Sequence, residues 1–373
     1  MIRYSEQSID ENDIFQVSSA LASPFLTQGP EIEKFEMEVA EFCSSASATA
    51  VSSATAGLHL AYLAVDLKKG DLVWTVGNSF VATASAAKYC GAEVDFVDIN
   101  KNTYNICVVS LEQKILSSSR KPDVLCVVHF AGRPSPMKEI SNICQKHSIK
   151  IIEDASHSFG AKYENEFVGA CTYSEAVIFS FHPVKILTTA EGGVICTNKD
   201  EITKKVRRLR SHGITRDVAI PWYPQQEEIG FNYRMTEPQA ALGRAQLKKL
   251  QSFFEHRTEL AEYYNKHLAS LPLKTPLYDD DAFVSSKHLY VIMLNKKSEK
   301  YRNEFIRYLL DHDIGANLHY YPIYKFPNFK TNSEFYPNNE EYFRSAITIP
   351  LSTKLSRDQQ IYIIDTMKQF LDD

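Results

Sequence analysis

No apolar stretch of this 373-residue chain approaches the roughly 20 residues that cross a bilayer as a helix. The segment Met1-Ile2-Arg3-Tyr4-Ser5-Glu6 has no apolar centre of the kind a signal peptide carries, so a cytoplasmic location is expected. There is no basic surplus either. Lysine and arginine number 41 against 46 acidic residues, a formal charge of −5, which leaves no electrostatic footprint for nucleic acid. The concentrated run Lys204-Lys205-Val206-Arg207-Arg208-Leu209-Arg210 has a helical pattern and reads as a solvated face. No two of the cysteines, Cys43, Cys90, Cys107, Cys126, Cys144, Cys171 and Cys196, stand at Cys-x-x-Cys spacing. Cys90, Cys126 and Cys196 lie in or beside apolar runs. They read as small buried hydrophobes in a reducing compartment, with neither disulfides nor a metal expected. Gly-x-Gly-x-x-Gly is absent, which argues against a Rossmann dinucleotide site. Internal repeats and low-complexity segments are absent too.

What is present is an ordinary globular composition, 44% apolar and 23% charged, in a chain longer than one core usually organises. Two domains are expected: a large one over 14–250 and a smaller one over 251–373 joined by 1–13. From Ile32 to Gly193 the pattern alternates. Strand-like runs are Leu72–Val76, Val94–Ile99, Val124–Phe130, Ile149–Glu153, Ala176–Phe181 and Gly193–Thr197. Helical runs between them include Ile32–Cys43, Thr55–Val65, Ser79–Tyr89 and Met137–His147. Continuous Val/Ile-rich strands separated by amphipathic helices predict an α/β fold, with a mainly parallel sheet covered on both faces. Thr236 is placed to cap a long helix reaching Tyr264, with Pro238 in its first turn. Beyond Leu273 the texture is α+β, with strands expected at Val284–Leu294 and Ala316–Tyr321 and helices at Glu304–His312 and Arg357–Leu371.

One lysine stands out. In Phe179-Ser180-Phe181-His182-Pro183-Val184-Lys185-Ile186-Leu187-Thr188-Thr189-Ala190-Glu191-Gly192-Gly193, a proline-broken turn between two strands carries Lys185 with little charge near it in sequence. Desolvation there lowers the pKa, as an amine nucleophile toward an aldehyde requires. Parallel sheets bind ligands beyond the carboxyl ends of their strands, and three junctions at such ends carry suitable chemistry. Val51-Ser52-Ser53-Ala54-Thr55-Ala56-Gly57-Leu58 opens a helix whose first N–H groups suit a phosphate, a reading that the presence of Ser180 and Lys185 favours. Taken alone, Thr55 reads as a helix cap. Ile151-Ile152-Glu153-Asp154-Ala155-Ser156-His157 ends a strand on acid, and Asp154 fits equally a helix cap or the partner of a protonated ring nitrogen. Gly77-Asn78-Ser79-Phe80-Val81-Ala82-Thr83 places Phe80 at a turn, where it suits either core packing or stacking on a flat ring.

The segment around Lys185 resembles the Schiff-base lysine motif of the DegT/StrS-like family of pyridoxal-phosphate-dependent nucleotide-sugar aminotransferases, and the resemblance runs from Tyr4 to the Pro322 region. Within that family the motif is most similar to the C4 aminotransferases of pseudaminic acid biosynthesis, which share an alanine at Ala190 where many members have glycine. The resemblance implies an aspartate-aminotransferase-like (fold type I) architecture and pyridoxal 5′-phosphate as cofactor. It implies that Lys185 forms the Schiff base, since relatives that deoxygenate sugars carry histidine there. It further implies that Asp154 holds the pyridinium, that His157 lies beside the ring and Phe80 stacks on it, and that Ala54, Thr55, Ala56 and Ser180 hold the phosphate. Asn232, in Gly230-Phe231-Asn232-Tyr233-Arg234-Met235, matches a residue reaching the phosphate of a neighbouring subunit, which implies a homodimer with shared sites. Tyr4, Leu26, Thr27, Asn317, His319 and Tyr320 match nucleotide-sugar contacts. The expected reaction moves an amino group from L-glutamate to C4 of a UDP-linked 4-keto-6-deoxy-N-acetylhexose, giving a UDP-4-amino-4,6-dideoxy sugar. The alternatives are transamination at C3 or C4 of a dTDP- or GDP-linked sugar, or a non-catalytic regulator on the same fold.

Overall fold

The structure, a computed structural model, describes residues 1–216, 219–220 and 222–372, without the side chain of Asp372. Seven strands form the central sheet: β1 Ser47–Val51, β2 Leu72–Val76, β3 Glu93–Val97, β4 Val124–Val128, β5 Lys150–Asp154, β6 Ala176–Ser180 and β7 Gly193–Thr197. Their spatial order is β1-β7-β6-β5-β4-β2-β3. Parallel pairing links β6, β5, β4, β2 and β3, while β7 runs antiparallel to both β1 and β6. The sheet is therefore mixed and mostly parallel, as the alternating pattern predicts. Its strands are rich in apolar residues because both faces are covered. Ile152, Ile178 and Ile195 pack with Leu58, Ala61 and Tyr62 of the helix α3 (Ala54–Ala64) on one face. On the other, Val177, Phe179 and Val194 pack with Phe35 and Val39 of the helix α2 (Pro30–Cys43). Each such aliphatic side chain contributes about 1.5–3 kcal/mol, so this double-sided core is the frame that holds the strand ends in place.

Parity then decides what the strand ends present. Side chains alternate between faces with period two, so Asp154 emerges on the face of Ile152, and Ser180 on the face of Ile178. Glu153 emerges on the opposite face, where it meets the buried His129 at 2.6 Å and accepts from Ser174 Oγ at 2.5 Å. The two carboxylates, adjacent in sequence, thus face opposite sides of the sheet.

The remaining chain builds a three-stranded antiparallel sheet from β8 (Leu273–Lys274), β9 (Tyr290–Leu294) and β10 (Ala346–Ile349). Tyr264, Leu268, Phe305, Leu309, Ile363 and Met367 form its core with Tyr290 and Ile347. The N-terminal segment docks on this unit: Ile2 bridges Ile314, and Tyr4 O accepts from Leu351 N at 3.0 Å. No helix among the described residues is long and apolar enough to cross a membrane.

Three expected elements differ. The long helix from Thr236 is two helices, α8 (Glu237–Leu247) and α9 (Leu250–Leu268). At the break, Lys249 Nζ reaches Asp10 at 2.8 Å and Asp13 at 2.5 Å, and Gln246 donates to Ser8 O, so the N-terminal helix α1 (Glu11–Leu21) anchors the junction. The expected strand Val284–Leu294 is interrupted because Ser286 and His288 give their N–H groups to Gly132 O and Ala131 O, each at 3.0 Å. Ala316–Tyr321 is no strand. Only Asn317 pairs there, with Thr348, and Tyr320 N turns to the Asn78 side chain. The Lys204–Arg210 run, expected as a solvated face, is laced to acids, with Arg207 and Arg210 on Glu36 and Arg208 on Glu227 and Glu228.

A buried carboxylate secures one helix start that the sequence leaves uncapped. Gly29 offers no side chain to α2; Glu237, 1% exposed, accepts instead from Gly29 N at 2.9 Å, Glu31 N at 2.8 Å and Ile32 N at 3.4 Å. Glu237→Ala leaves these buried donors without their acceptor. The expected loss is about 3 kcal/mol in urea denaturation of the cofactor-free protein. A loss under about 1 kcal/mol would show that water replaces the cap.

Candidate active site

Beyond the ends of β5 and β6 a cavity of about 650 Å³ opens, lined among others by Ser53, Ala54, Thr55, Phe80, Asp154, His157, Ser180 and Lys185. The loop that carries Lys185 is closed at its base, where Phe181 N donates to Gly192 O at 3.0 Å. Inside it Lys185 N donates to His182 O at 2.8 Å, forming a tight turn. Ser5 Oγ donates to Val184 O at 2.7 Å, so the N-terminal segment clamps this turn from outside. Ala190, in the same loop, sits at φ 65°. That left-handed conformation favours glycine, so alanine is strained there.

Lys185 lines the cavity and so keeps part of its surface open, yet dense protein surrounds the amine. Burial lowers its pKa from 10.5 to about 8, and the nearby Asp154 charge opposes that shift. Asp154 is 5% exposed; its Oδ2 accepts from Thr83 Oγ1 at 2.6 Å and its Oδ1 from Ser156 Oγ at 2.6 Å. Three histidines surround the pair, and all are kept neutral. Burial pushes His319 down to about 3, and burial followed by the Lys185 charge pushes His157 well below the usual imidazole range. His288 is lowered by burial and by His157, then Lys185. His157 Nδ1 accepts from Ala131 N at 3.2 Å, so its proton resides on Nε2, which meets Tyr320 Oη at 2.9 Å. The Tyr320 hydroxyl is thereby left free to donate into the cavity.

An anion cradle lies at the other end. The start of α3 presents its first N–H groups, which have no intrahelical partners. Ser53 caps it by accepting from Ala56 N at 3.1 Å. The approach depends on Gly193, where a Cβ would lie 2.8 Å from Ala54 N. In the same lining, Phe80 is 57% exposed, its ring centroid 6.1 Å from that of Tyr320. An amine for an aldehyde, a carboxylate for a cationic ring nitrogen, an exposed aromatic face and an anion cradle in one cavity fit pyridoxal phosphate.

Of the residues singled out in the sequence, Tyr4, Ala54, Thr55, Phe80, Asp154, His157, Ser180, Lys185, Asn317, His319 and Tyr320 line this cavity. Ala56 is buried behind it, its N–H already bonded to Ser53. Leu26, Thr27 and Asn232 lie outside it: all three are exposed, with Thr27 bridged to Thr236 and Asn232 to Ser211. Sequence reasoning missed Ser79, Thr83, Ser156, His182, Glu191 and His288. The first three fall within the strand-end junctions already noted; a scan for hydroxyls beside Asp154 would have found Ser156, but nothing local ties Ser79 or Thr83 to that acid. His288 sits in what reads as a strand and carries no local signal.

The rate at which the cofactor-free protein captures pyridoxal phosphate, followed by absorbance, should rise about tenfold per pH unit up to pH 8 and level off above it, because below its pKa the Lys185 amine is mostly protonated. An amine with an ordinary lysine pKa would keep accelerating through pH 9, and that outcome would refute the lowered value.

Comparison with known proteins agrees with this chemistry. Residues 7–368 match the DegT/DnrJ/EryC1/StrS aminotransferase family. A Campylobacter jejuni protein described as UDP-4-amino-4,6-dideoxy-N-acetyl-beta-L-altrosamine transaminase is 37% identical, over 100% of this chain and 98% of its own. Among solved structures, the PMP form of the putative sugar aminotransferase Spr1654 from Streptococcus pneumoniae superposes with a TM-score of 0.94 at 27% identity, covering 100% of this chain and 99% of that one. Helicobacter pylori PseC, an aminotransferase involved in pseudaminic acid biosynthesis, superposes with a TM-score of 0.90 at 29% identity, covering 100% and 99%. The chain thus belongs to the DegT/DnrJ/EryC1/StrS aminotransferase family and is a pyridoxal-phosphate-dependent sugar aminotransferase.

Proposed function

We propose that the chain transfers an amino group from L-glutamate to C4 of a UDP-linked 4-keto-6-deoxy-N-acetylhexose, giving the UDP-4-amino-4,6-dideoxy sugar of a pseudaminic (nonulosonate) pathway. The observation that carries the reading is one cavity lined by Lys185 and Asp154 together with Tyr4, Asn317, His319 and Tyr320. The UDP-sugar transaminase relative, alike over the whole chain, supports the substrate class. Bound in this cavity, the cofactor supplies an aldehyde and an electron-withdrawing ring. Lys185 Nζ would hold the aldehyde carbon, with loss of water; once the donor's amine displaces it, the freed amine would take the proton from the donor Cα and, in the second half-reaction, give a proton to sugar C4. Its lowered pKa suits that exchange near neutral pH. Asp154 holds the ring-nitrogen proton, while Ala54, Thr55 and Ser180 hold the phosphate; Ala56, buried behind the cavity with its N–H given to Ser53, takes no part. His157, kept neutral, adds no competing charge beside the ring, and Tyr320 donates its hydroxyl to the sugar.

Leu26, Thr27 and Asn232 act in this reading across a homodimer interface, Asn232 reaching the partner's phosphate and the other two its sugar. Phe25, Leu26 and Ile229 are exposed apolar side chains along those segments, surface that a second copy would cover.

Purified enzyme assayed with glutamate against UDP-, dTDP- and GDP-linked 3- and 4-keto sugars should turn over the UDP-4-keto sugar fastest; preference for another nucleotide or for C3 would overturn the substrate assignment. Lys185→Ala and Lys185→Arg should both abolish turnover, since arginine stays protonated. Asp154→Asn should bind cofactor yet lose about tenfold to a hundredfold in kcat, the value of a charge-assisted contact made in the transition state.

The shared site predicts complementation. Asn232→Ala and Lys185→Ala homodimers are each impaired, but a mixed dimer contains one intact site. Activity emerging on subunit exchange is the expected result. Proven heterodimers without rescue, or a fully active monomer, would remove the trans contact.

A further inference from the structure

Asp154 presents an unusual local balance. It is buried, yet among the described residues it makes no ion pair and is held by hydroxyls and one backbone N–H. A buried carboxylate is costly without a compensating donor or charge. Two other buried acids take backbone partners instead: Glu237 accepts from the N–H groups that open α2, and Asp98 from Asn338 N and Asn339 N, both at 3.0 Å, at the start of the helix Pro337–Ser345.

The donors to Asp154 come from two elements. Ser156 Oγ, in the turn after β5, holds Oδ1 at 2.6 Å, supported by Ser156 N at 3.2 Å. Thr83, wholly buried in the first turn of the helix Ala82–Tyr89, holds Oδ2 at 2.6 Å. The Thr83 hydroxyl has one proton and three oxygen neighbours: this carboxylate, Phe80 O at 3.1 Å and Ser79 Oγ at 2.8 Å. The carboxylate is the nearest of the three and the one that carries charge, so it takes the proton. Phe80 O is already served by Thr83 N at 3.2 Å. Ser79 must then donate to Thr83, which sets the direction of a relay: Ser79, on the cavity wall, to Thr83, to Asp154.

We propose that Thr83 is a positioning residue. Its hydroxyl, aimed by Ser79, fixes the carboxylate plane of Asp154 and keeps one oxygen turned toward the cationic ring nitrogen of the cofactor. Two donors on opposite sides block rotation about the Cβ–Cγ bond, so the acid need not reorganise when the cation arrives. The inference rests on the reading of Asp154 as the ring-nitrogen partner, and its test separates the two.

Thr83→Val, Thr83→Ser and Asp154→Asn are compared with the unaltered protein by cofactor affinity of the apoprotein, by the ¹⁵N resonance of ring-labelled pyridoxal phosphate in the holoenzyme, and by apoprotein melting. Valine keeps the volume and removes the donor; serine keeps the donor. Thr83→Val should weaken cofactor binding about tenfold. It should also move the ring-nitrogen resonance partway toward the unprotonated position given by Asp154→Asn, with Thr83→Ser within about twofold of the unaltered protein in affinity. If Asp154→Asn shifts both readouts and Thr83→Val shifts neither, the relay falls and the Asp154 reading stands. If Asp154→Asn shifts neither, both fall. If Thr83→Ser is as impaired as Thr83→Val, the methyl group and not the hydroxyl matters, and the proposal is wrong. Should apoprotein melting show that Thr83→Val does not fold, Ser79→Ala carries the same test: releasing the Thr83 proton from its fixed direction should weaken cofactor affinity about threefold, and unchanged affinity with an unchanged ¹⁵N resonance would overturn the relay.

Discussion

A carboxylate and an amine held in one cavity, close enough to feel each other and not allowed to pair, form the constraint on which this structure depends. Paired, Lys185 and Asp154 would neutralise each other and the amine would stay charged and inert. Separated, the amine is lowered to about 8 by burial, and the acid's oxygens are left to hydroxyl donors and one backbone N–H. Arrangements of this kind are unfavourable by themselves, since each group gives up water without a full partner. They persist only where surrounding packing over-determines their positions. Here the frame is a seven-stranded sheet covered on both faces, whose aliphatic side chains each contribute about 1.5–3 kcal/mol.

The rest of the chain can be understood as holding that geometry. Alternation along β5 sends Asp154 to the cavity face and Glu153 to the opposite face, where His129 and Ser174 satisfy it. Gly193 lets β7 approach the start of α3 closely enough to form the cradle. The N-terminal segment reaches back so that Ser5 clamps the turn of Lys185 and Tyr4 enters the cavity wall. The same reach places α1 at the break between α8 and α9, through Lys249 and its two aspartates. A contact 239 positions apart in sequence, Lys249 to Asp10, has no local signature, so the continuous helical pattern around it reads as one helix.

Neutral histidines complete the electrostatics. His157, His288 and His319 could each carry charge in water, but burial and the Lys185 charge keep them uncharged. The cavity then holds the Lys185 amine and the carboxylates of Asp154 and Glu191 rather than a cluster of cations. For a ligand with a phosphate, a cationic ring nitrogen and an aldehyde, it offers a helix start, a buried carboxylate and an amine.

Much of this was already determined by the sequence. Period and β-branched content dictate the parallel sheet, because strands buried on both faces must be rich in apolar residues. The proline-broken turn between two such strands dictates a lysine held near the core, and the acid ending an apolar strand dictates a charge at the carboxyl edge of the sheet. Those are local facts, written within about ten residues. Tertiary structure alone decided the rest. His288 reads as part of a strand and becomes cavity wall because Ser286 and His288 pair with the 131–132 turn. Thr83 reads as an ordinary helix residue and becomes the donor to Asp154, 71 positions away. Asn232, Leu26 and Thr27 lie outside the cavity of their own chain. The reason is the same in each case: a hydrogen bond or a cavity wall depends on which segments the packed core brings together, and that partner is set by topology, not by the residue's neighbours in sequence.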